Sequence, residues 1–571
     1  MKKIVDIETM TLEEENKFKN EKGFDLSFVI EELQKIPNAA KEKMNHSKKR
    51  PITLIEDYLN TKIKNDLLLV KRLLRVYFSA YTNEPINCIL LSPTSEGKTY
   101  STVQVSEIFP KDDVISIGRL SPTALIHQYG ELVDPDGYPL KERLEKLELD
   151  IFNAESEQDK KSIHELKQIK TDMMKTAKNL VDLTHKIILF LDNPSPQTYE
   201  MLKPIMSHDK KEILYKTTKS DGSLSVKETI IRGWPATIIC SAKNEAKNEV
   251  WAEIASREII LSPNTDVTKY HAANKLTSQK MGMPSILENN NNEKRIIEFY
   301  VERLRSSLVK LCVDGNPIVN PFYEMLADLF PHNEGITMRH FKRLLSFVNI
   351  ETLVNAKSNM KIEFMLHERK EKKVFVVTSL KMIEDAIKIL GNISTIAPEK
   401  IKFYNEVFLP LIQEKSTTQI SLGEDPQRRL AETLDNITVT KEEAAEKFTK
   451  VFHKVITPKA IQEYYLKQLS DEGILDWKKN EDNKKQYLYF LSSKLSIHNL
   501  TTVVRQLNDR HDKDFLYVWS CLVKPFQLSC KMGKMIRIFD NSNSNITYQE
   551  FKKKISGSIL DLHDNQGDKN D

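Results

Sequence analysis

The sequence predicts an α/β fold: a parallel sheet with helices on both faces, followed by a helical lid and a compact C-terminal unit. Three observations carry that expectation. Apolar runs too short for helices, such as Ile86–Leu91 and Ile187–Leu191, alternate with amphipathic segments. A loop ending in Gly97-Lys98-Thr99 stands between the first run and a helical pattern. From 293 to 391 the apolar spacing reads as helical.

At 571 residues the chain exceeds the roughly 250–300 at which one core stops growing, so several domains are expected. Lysine plus arginine number 85 against 81 acidic residues, a net charge of +4. That balance excludes a histone-like polycation but leaves room for a local basic groove. Cys88, Cys240, Cys312, Cys521 and Cys530 form no CxxC pair, which fits free thiols in a reducing cytoplasmic setting. No apolar run reaches the ~18 residues of a membrane span, and the charged N-terminus lacks the apolar stretch of a secretory signal.

In chain order, residues 1–50 read as a charged helical arm and 51–80 as a helical lead-in to a core spanning 51–285. Residues 111–120 give a second strand, and Ser121-Pro122 opens a short helix. Residues 139–181 carry helical spacing, with Leu166, Met173 and Leu180 seven apart and a break at 153–158. They read as an inserted helical hairpin or as one amphipathic helix on the core. Residues 212–231 alternate around Ser220-Asp221-Gly222-Ser223, a β-hairpin pattern. ATIICS (236–241) and EIIL (258–261) are further strands. A helical lid (286–411), a linker (412–437), a compact unit (438–495) and a small helical element with a polar tail (496–571) complete the chain.

Ser92-Pro93-Thr94-Ser95-Glu96-Gly97-Lys98-Thr99 fits the phosphate-loop pattern GxxxxGK[ST], with Ser92 in place of the first glycine. Backbone amides of Ser92, Thr94, Ser95, Glu96 and Gly97 would wrap a phosphate. Gly97 admits close approach, Lys98 reaches the terminal phosphates and Thr99 offers a hydroxyl to Mg²⁺. ATP and Mg²⁺ are thus the cofactors expected. Such a loop needs a carboxylate on a neighbouring strand end for the metal's water shell, and Asp192 follows KIILFL at that place. Asn193 comes next; an amide can orient a water but cannot act as a base. Glu96 and Glu200 are possible substitutes.

In this order the segments resemble the motor of AAA+ ATPases of the pre-sensor-one, minichromosome-maintenance-like group, over roughly 55–391. TIICSAKN resembles its sensor-one strand, with Asn244 or Ser241 as the polar group. AEIASREIILSPN resembles its arginine-finger segment, which implies that Arg257 serves a neighbouring subunit's nucleotide. TMRHFKRLL resembles the lid motif, with Arg339 as sensor two. The 212–231 hairpin sits where this group carries a pore hairpin, and Lys216, Lys219 and Lys227 would then grip single-stranded DNA. The departures are Ser92, Asn193 and the long insertion; no counterpart of the family's N-terminal domain is seen.

ITPKAIQEYYLKQLSDEGILDWKK followed by QYLYFL reads as helix and two-stranded wing, a winged-helix pattern, with Thr457-Pro458 opening the helix and Gly473 closing it. Lys459 and Lys478 would meet DNA through helix and wing, although many winged helices bind protein. Tyr464, Tyr465 and Leu466 read as core. The resemblance implies a hexameric helicase or translocase of DNA replication or recombination. The alternative is a DNA-bound nucleotide switch, an initiator or transcription regulator with slow hydrolysis.

Overall fold

The computed structural model describes residues 49–118, 130–156, 160–218, 226–241, 258–282, 291–330, 335–367, 370–390, 398–420, 437–471, 475–480, 486–491, 507, 515–528, 533–540 and 542–555. Two helices open it, α1 (Pro51–Lys62) and α2 (Leu67–Ser79), followed by β1 (Cys88–Leu91), α3 (Lys98–Ser106) and β2 (Val114–Ile117). Then come β3 (Glu131–Val133), α4 (Lys141–Ser156), α5 (Lys160–Thr176), β4 (Lys178–Asp182) and β5 (Ile187–Phe190). Next are α6 (Pro196–Met206), the hairpin β6 (Glu212–Thr218) and β7 (Val226–Arg232), then β8 (Ala236–Ser241), β9 (Ile259–Leu261) and α7 (Val267–Gly282).

β2, β5, β8, β1 and β9 form one five-stranded sheet in that order, parallel throughout. Strand alternation divides its side chains between two cores. Cys88, Leu90, Ile187, Leu189, Ile238 and Cys240 face a large core shared with α1, α2 and α3. Ile89, Leu91, Ile115, Ile117, Ile188, Phe190 and Ile239 face a smaller one with Tyr199, Leu202 and Ile205 of α6. Both faces are buried, which is why these strands read as continuous apolar runs.

The hairpin does not stand alone. β7 pairs antiparallel with β6 and parallel with β4, and β4 pairs antiparallel with β3. The insertion is two helices leaving from β3 and returning through β4. Lys167 to Glu155 (2.8 Å) and Lys170 to Glu148 (2.7 Å) bridge α5 to α4, so the helical hairpin forms, rather than one continuous helix. The helical reading of 139–181 is corrected at its end: Leu180 is on β4, opposite Ile230, where ladder pairing overrides the seven-residue spacing.

The span 291–390, expected as part of a helical lid, holds α8 (Asn291–Cys312), β10 (Ile318–Val319), α9 (Tyr323–Leu329), α10 (Gly335–Val354), β11 (Lys361–Leu366), β12 (Lys372–Val377) and α11 (Leu380–Leu390). It is therefore not all helical. Ile362 and Phe364 are buried, and their period of two makes a strand of 361–366. Helices follow at Pro398–Phe403, continuing through a π-turn to α13 (Leu409–Ile420), so residues 412–420 are helical and not linker; Pro398–Phe403 is α12. α14 (Lys441–Phe452), α15 (Pro458–Ile461), α16 (Lys467–Asp471), β13 (Leu475–Lys479) and β14 (Tyr487–Leu491) come next. They share with α12 and α13 a separate core of Phe403, Phe408, Ile412, Phe448, Ile461 and Leu475. A bridge from Val439 to Tyr489 ties the antiparallel β13–β14 hairpin to the start of α14.

The C-terminal element is also not purely helical: between α17 (Phe515–Leu528) and α18 (Tyr548–Lys554), β15 (Gly533–Phe539) pairs antiparallel with β11. It completes a four-stranded sheet, β10-β12-β11-β15, inside the lid region. Cys88, Cys240, Cys312 and Cys521 are buried free thiols; Cys530 lies outside the described residues. Among the described residues no helix is long and apolar enough to cross a membrane. The arm at 1–48, the segment opened by Ser121-Pro122, Gly473 and the polar tail also lie outside them.

A buried ion cluster holds α10 to the lead-in helices. Arg75 of α2 donates from Nε to Glu351 Oε2 of α10 (2.8 Å) and from Nη1 to Glu56 of α1, and all three are buried. Asn355 donates to Glu351 Oε1 (2.8 Å) and accepts from Arg50 (3.1 Å). Charges out of water are stable only when paired this fully. Arg75→Ala, which strands two buried carboxylates, is expected to cost about 3–5 kcal/mol, read as a fall in the urea midpoint. The charge-free triple Arg75→Met, Glu56→Leu, Glu351→Met should recover most of it. A triple no more stable than the single would show that packing, not charge, sets the cost.

Candidate functional site

The carboxyl ends of the parallel strands converge on one edge of the sheet, the usual crevice for a ligand in such folds. β1 leads there into residues 92–97 and then α3. Ser92 takes the register of the strand, its N–H donating to Ser241 O at 3.4 Å. Ser95 (φ 70°) and Gly97 (φ 83°) are both left-handed, and backbone turns of that kind recur in anion-binding loops. Nothing lies within 4 Å of a Cβ built on Gly97, so its glycine is required by the dihedral and not by space.

Lys98 opens α3 and is nearly buried. Its Nζ donates to Ser92 O (2.5 Å) and Pro93 O (2.6 Å), so the ammonium lies across the loop's own carbonyls. Burial lowers its pKa, against the pull of Cys240 and Glu96. Thr94, Ser95 and Thr99 are exposed, and Glu96 is half-buried. The loop is braced from outside by α7: Tyr270 Oη donates to Glu96 Oε2 (2.7 Å), and Lys269 Nζ to Asp66 Oδ2 (2.7 Å) and Asn264 O (2.9 Å). The hydrogen bond to the Glu96 carboxylate raises the Tyr270 pKa to about 12. No sequence pattern marked these α7 residues.

Asp192 lies just past β5, exposed, accepting the N–H of Asn193 (2.9 Å). β8 separates β5 from β1, placing Asp192 two strand spacings, about 10 Å, from the loop's strand. A carboxylate and a hydroxyl set either side of such a gap are donors of the kind a hydrated Mg²⁺ takes. Asn193 Oδ1 is buried with no hydrogen-bond partner among the described residues, a polar atom that a water or ligand would satisfy. Ser241, ending β8 between loop and acid, is buried. Glu200 is exposed on α6, near Lys203 Nζ (3.7 Å). Asn244, Arg257 and Lys219 lie outside the described residues.

The remaining expected residues are elsewhere. Positions 216 and 227 are on β6 and β7; Lys216 pairs with Glu228 and Thr217 with Lys227, which puts the two lysine positions on opposite faces of the ladder. Lys459 is exposed and paired with Glu463 (4.0 Å) on the helix surface, and Lys478 is exposed on β13. Tyr465 and Leu466 are core, but Tyr464 is 42% exposed, with Lys400 Nζ 4.6 Å from its ring centre. Arg339 is not beside the loop of its own chain. It lines a cleft with Asn87 and Ile259, at the opposite, amino-terminal ends of β1 and β9. His208 is in the same cleft, and burial, then the Lys342 charge, lower its pKa to about 4 against the opposing effect of Asp209.

No family profile matches the chain, and no curated protein matches it. Among solved structures, the A-form apo structure of the NrS-1 C-terminal region is similar over 78% of this chain and 77% of that one, at 10% identity and a TM-score of 0.22. A likeness of that degree carries no argument.

Two outcomes follow. Gly97→Ala puts a side chain at positive φ and should cost roughly 1–2 kcal/mol, seen as a lower Tm; Gly97→Asn, which tolerates that region, should lose less. His208 has a folded pKa below its ordinary 6.5, so the unfolded chain binds its proton more readily and stability falls as pH drops from 6.5 towards 4. His208→Gln should flatten that stretch of the stability–pH curve; an unchanged curve would assign the acid sensitivity to other groups.

Proposed function

We propose that the chain is an ATP-driven motor of the MCM-like AAA+ type that acts on single-stranded DNA in replication or recombination. The observation that carries this reading is the arrangement at one edge of the parallel sheet. A left-handed loop with Lys98 and Thr99 ends β1, Asp192 ends β5, and Ser241 stands between them on β8. In this reading Lys98 exchanges its two loop carbonyls for phosphate oxygens, while Thr99 and Asp192 hold Mg²⁺ and its waters. Bound ATP with Mg²⁺ supplies the phosphoryl transfer that drives movement. Arg257 serves a neighbouring subunit's nucleotide in a ring, while Arg339, at the amino-terminal ends of β1 and β9, stands apart from that site. Ring subunits present β6–β7 hairpins to the strand, with the winged helix at 438–495 as a second DNA contact.

Asn193 favours a second reading, a DNA-bound nucleotide switch. A carboxylate there would polarise the attacking water; the amide can only orient it. Its orphan Oδ1 fits the orienting role and leaves the base to be supplied otherwise.

Lys98→Ala removes a charged hydrogen-bond donor worth about 1.5–3 kcal/mol, so ATP affinity should fall roughly 10- to 100-fold. Unchanged affinity, by isothermal titration, would overturn the phosphate-loop assignment. Steady-state hydrolysis with and without single-stranded DNA, beside Asn193→Glu, separates the readings. Turnover stimulated by DNA supports the motor. Tight ATP binding with negligible turnover, rescued by Asn193→Glu, supports the switch.

A further inference from the structure

The nucleotide site leaves the cleft at the other end of the sheet without a role. It measures about 320 Å³. Its floor is rigid: Asn87 Nδ2 donates to Met206 O (2.7 Å), its Oδ1 accepts from Thr237 N–H (2.9 Å), and its carbonyl accepts from Ile259 N–H (3.0 Å). One wall is α10, where Arg339, Lys342 and Arg343 stand at i, i+3 and i+4 and so share one helical face. Lys342 and Arg339 are exposed; Arg343 is buried beneath them.

The facing wall is the turn after α6. His208 there takes a left-handed φ of 59°, and its ring stacks on Trp234 at 4.9 Å. Its Nε2 is buried and has no hydrogen-bond partner among the described residues. Lys211 Nζ lies 5.1 Å from the Trp234 ring centre, which extends the positive surface past the stack. Two acids also line the cleft, Glu84 and Asp209; the second accepts from Ser207 Oγ (2.5 Å). The cations outnumber them by one within the cleft, and Lys210 and Lys211 follow Asp209 directly.

A cationic helical face opposite a neutral imidazole nitrogen matches a phosphodiester, which offers spread negative charge and several acceptor oxygens. The volume admits one phosphate with its sugar. The location adds the source: β6 begins four residues beyond His208, so the cleft lies at the root of the hairpin. We propose that this cleft docks a backbone phosphate of single-stranded nucleic acid, carrying the strand from the hairpin onto the lid helix α10. The proposal rests on the nucleic-acid reading of the hairpin and adds a separate contact to it.

The test uses the full chain and a fluorescein-labelled oligothymidylate, titrated by anisotropy at several salt concentrations. Lys342→Ala should weaken binding several-fold and reduce the slope of log K against log salt by about 0.7, the value for one phosphate contact on a single strand. Lys342→Arg should keep the slope. In the wild-type protein the oligonucleotide should protect Lys342 from acetylation, a readout independent of any variant's folding. Inorganic phosphate at the same ionic strength should not protect it; if it does so as well as the oligonucleotide, the site is one for free phosphate and the proposal fails. Displacement by polyglutamate as effective as by unlabelled oligothymidylate would make it an acidic-peptide site and overturn it likewise. If Lys216→Ala with Lys227→Ala abolishes binding while Lys342→Ala changes neither affinity nor slope, the cleft is off the path and the hairpin reading stands. If the wild-type chain does not bind the oligonucleotide at all, both readings fall.

Discussion

One buried guanidinium organises the large core. Arg75 sits between Glu56 and Glu351, so a charge on α2 is satisfied only when α1 and α10 are both docked. Ionic groups removed from water tolerate little displacement, because each lost contact exposes an uncompensated charge to a low-dielectric interior. The effect is to set register: the lead-in helices and α10, whose Glu351 is 276 positions from Arg75, have one mutual position. The apolar contacts around them, Leu73, Tyr77, Phe347 and Val348 among them, add most of the burial but specify position less sharply.

A second cluster does the same for the loop at 92–97. Asp66, between α1 and α2, accepts from Lys269 Nζ and from Asn264 N–H, while Tyr270 holds the Glu96 side chain. The loop is therefore braced by α7 on its outer side and by β8 on its inner side. Its left-handed residues, Ser95 and Gly97, sit between two fixed supports, which keep the non-glycine Ser95 in that region. The Lys98 contacts to Ser92 O and Pro93 O show the same economy: the cation is held within the loop by groups it can release.

The strand–loop–helix order around Gly97 was legible in the sequence because it is contiguous. Strand, loop, Gly97, Lys98 and helix occupy nineteen consecutive residues, 88–106, and Asp192 follows an apolar run that can only be a buried strand. What escaped depends on pairing across distance. Arg75 and Glu351 are 276 positions apart, and no spacing rule reaches that far. β15 joins β11 from the far end of the chain, so neither segment has its sheet in its own neighbourhood. β11 itself alternates Ile362 and Phe364 with polar residues, but lies among helices whose period dominates a long window. Leu180 kept the heptad spacing of a helix and still became a strand, because β7 offered it a ladder. Arg339 stands in a segment read from the sequence as a lid motif, yet which end of the sheet it occupies is a property of the fold.

That last point bears on how the two ends of the molecule communicate. β1 joins them most directly, Asn87 at the cleft and Ser92 at the loop, but it is buried and paired on both sides. A packed strand of that kind is not continuously deformable and passes no graded movement. The helices offer a different route. Lys98 begins α3; Tyr77 Oη of α2 donates to Thr102 O of α3 (2.9 Å); Arg75, two residues before Tyr77, is bound to Glu351; and Glu351 lies two turns past Lys342 and Arg343 on α10. A shift of α3 on phosphate binding would thus act on α10 through the buried ion cluster rather than through the sheet. Packing alone establishes the path and not its strength; the coupling energy is the non-additive term of a double-mutant cycle between Arg75 and Lys342. A cluster that pairs fully in only one arrangement suits such a link, since it moves as a unit or breaks.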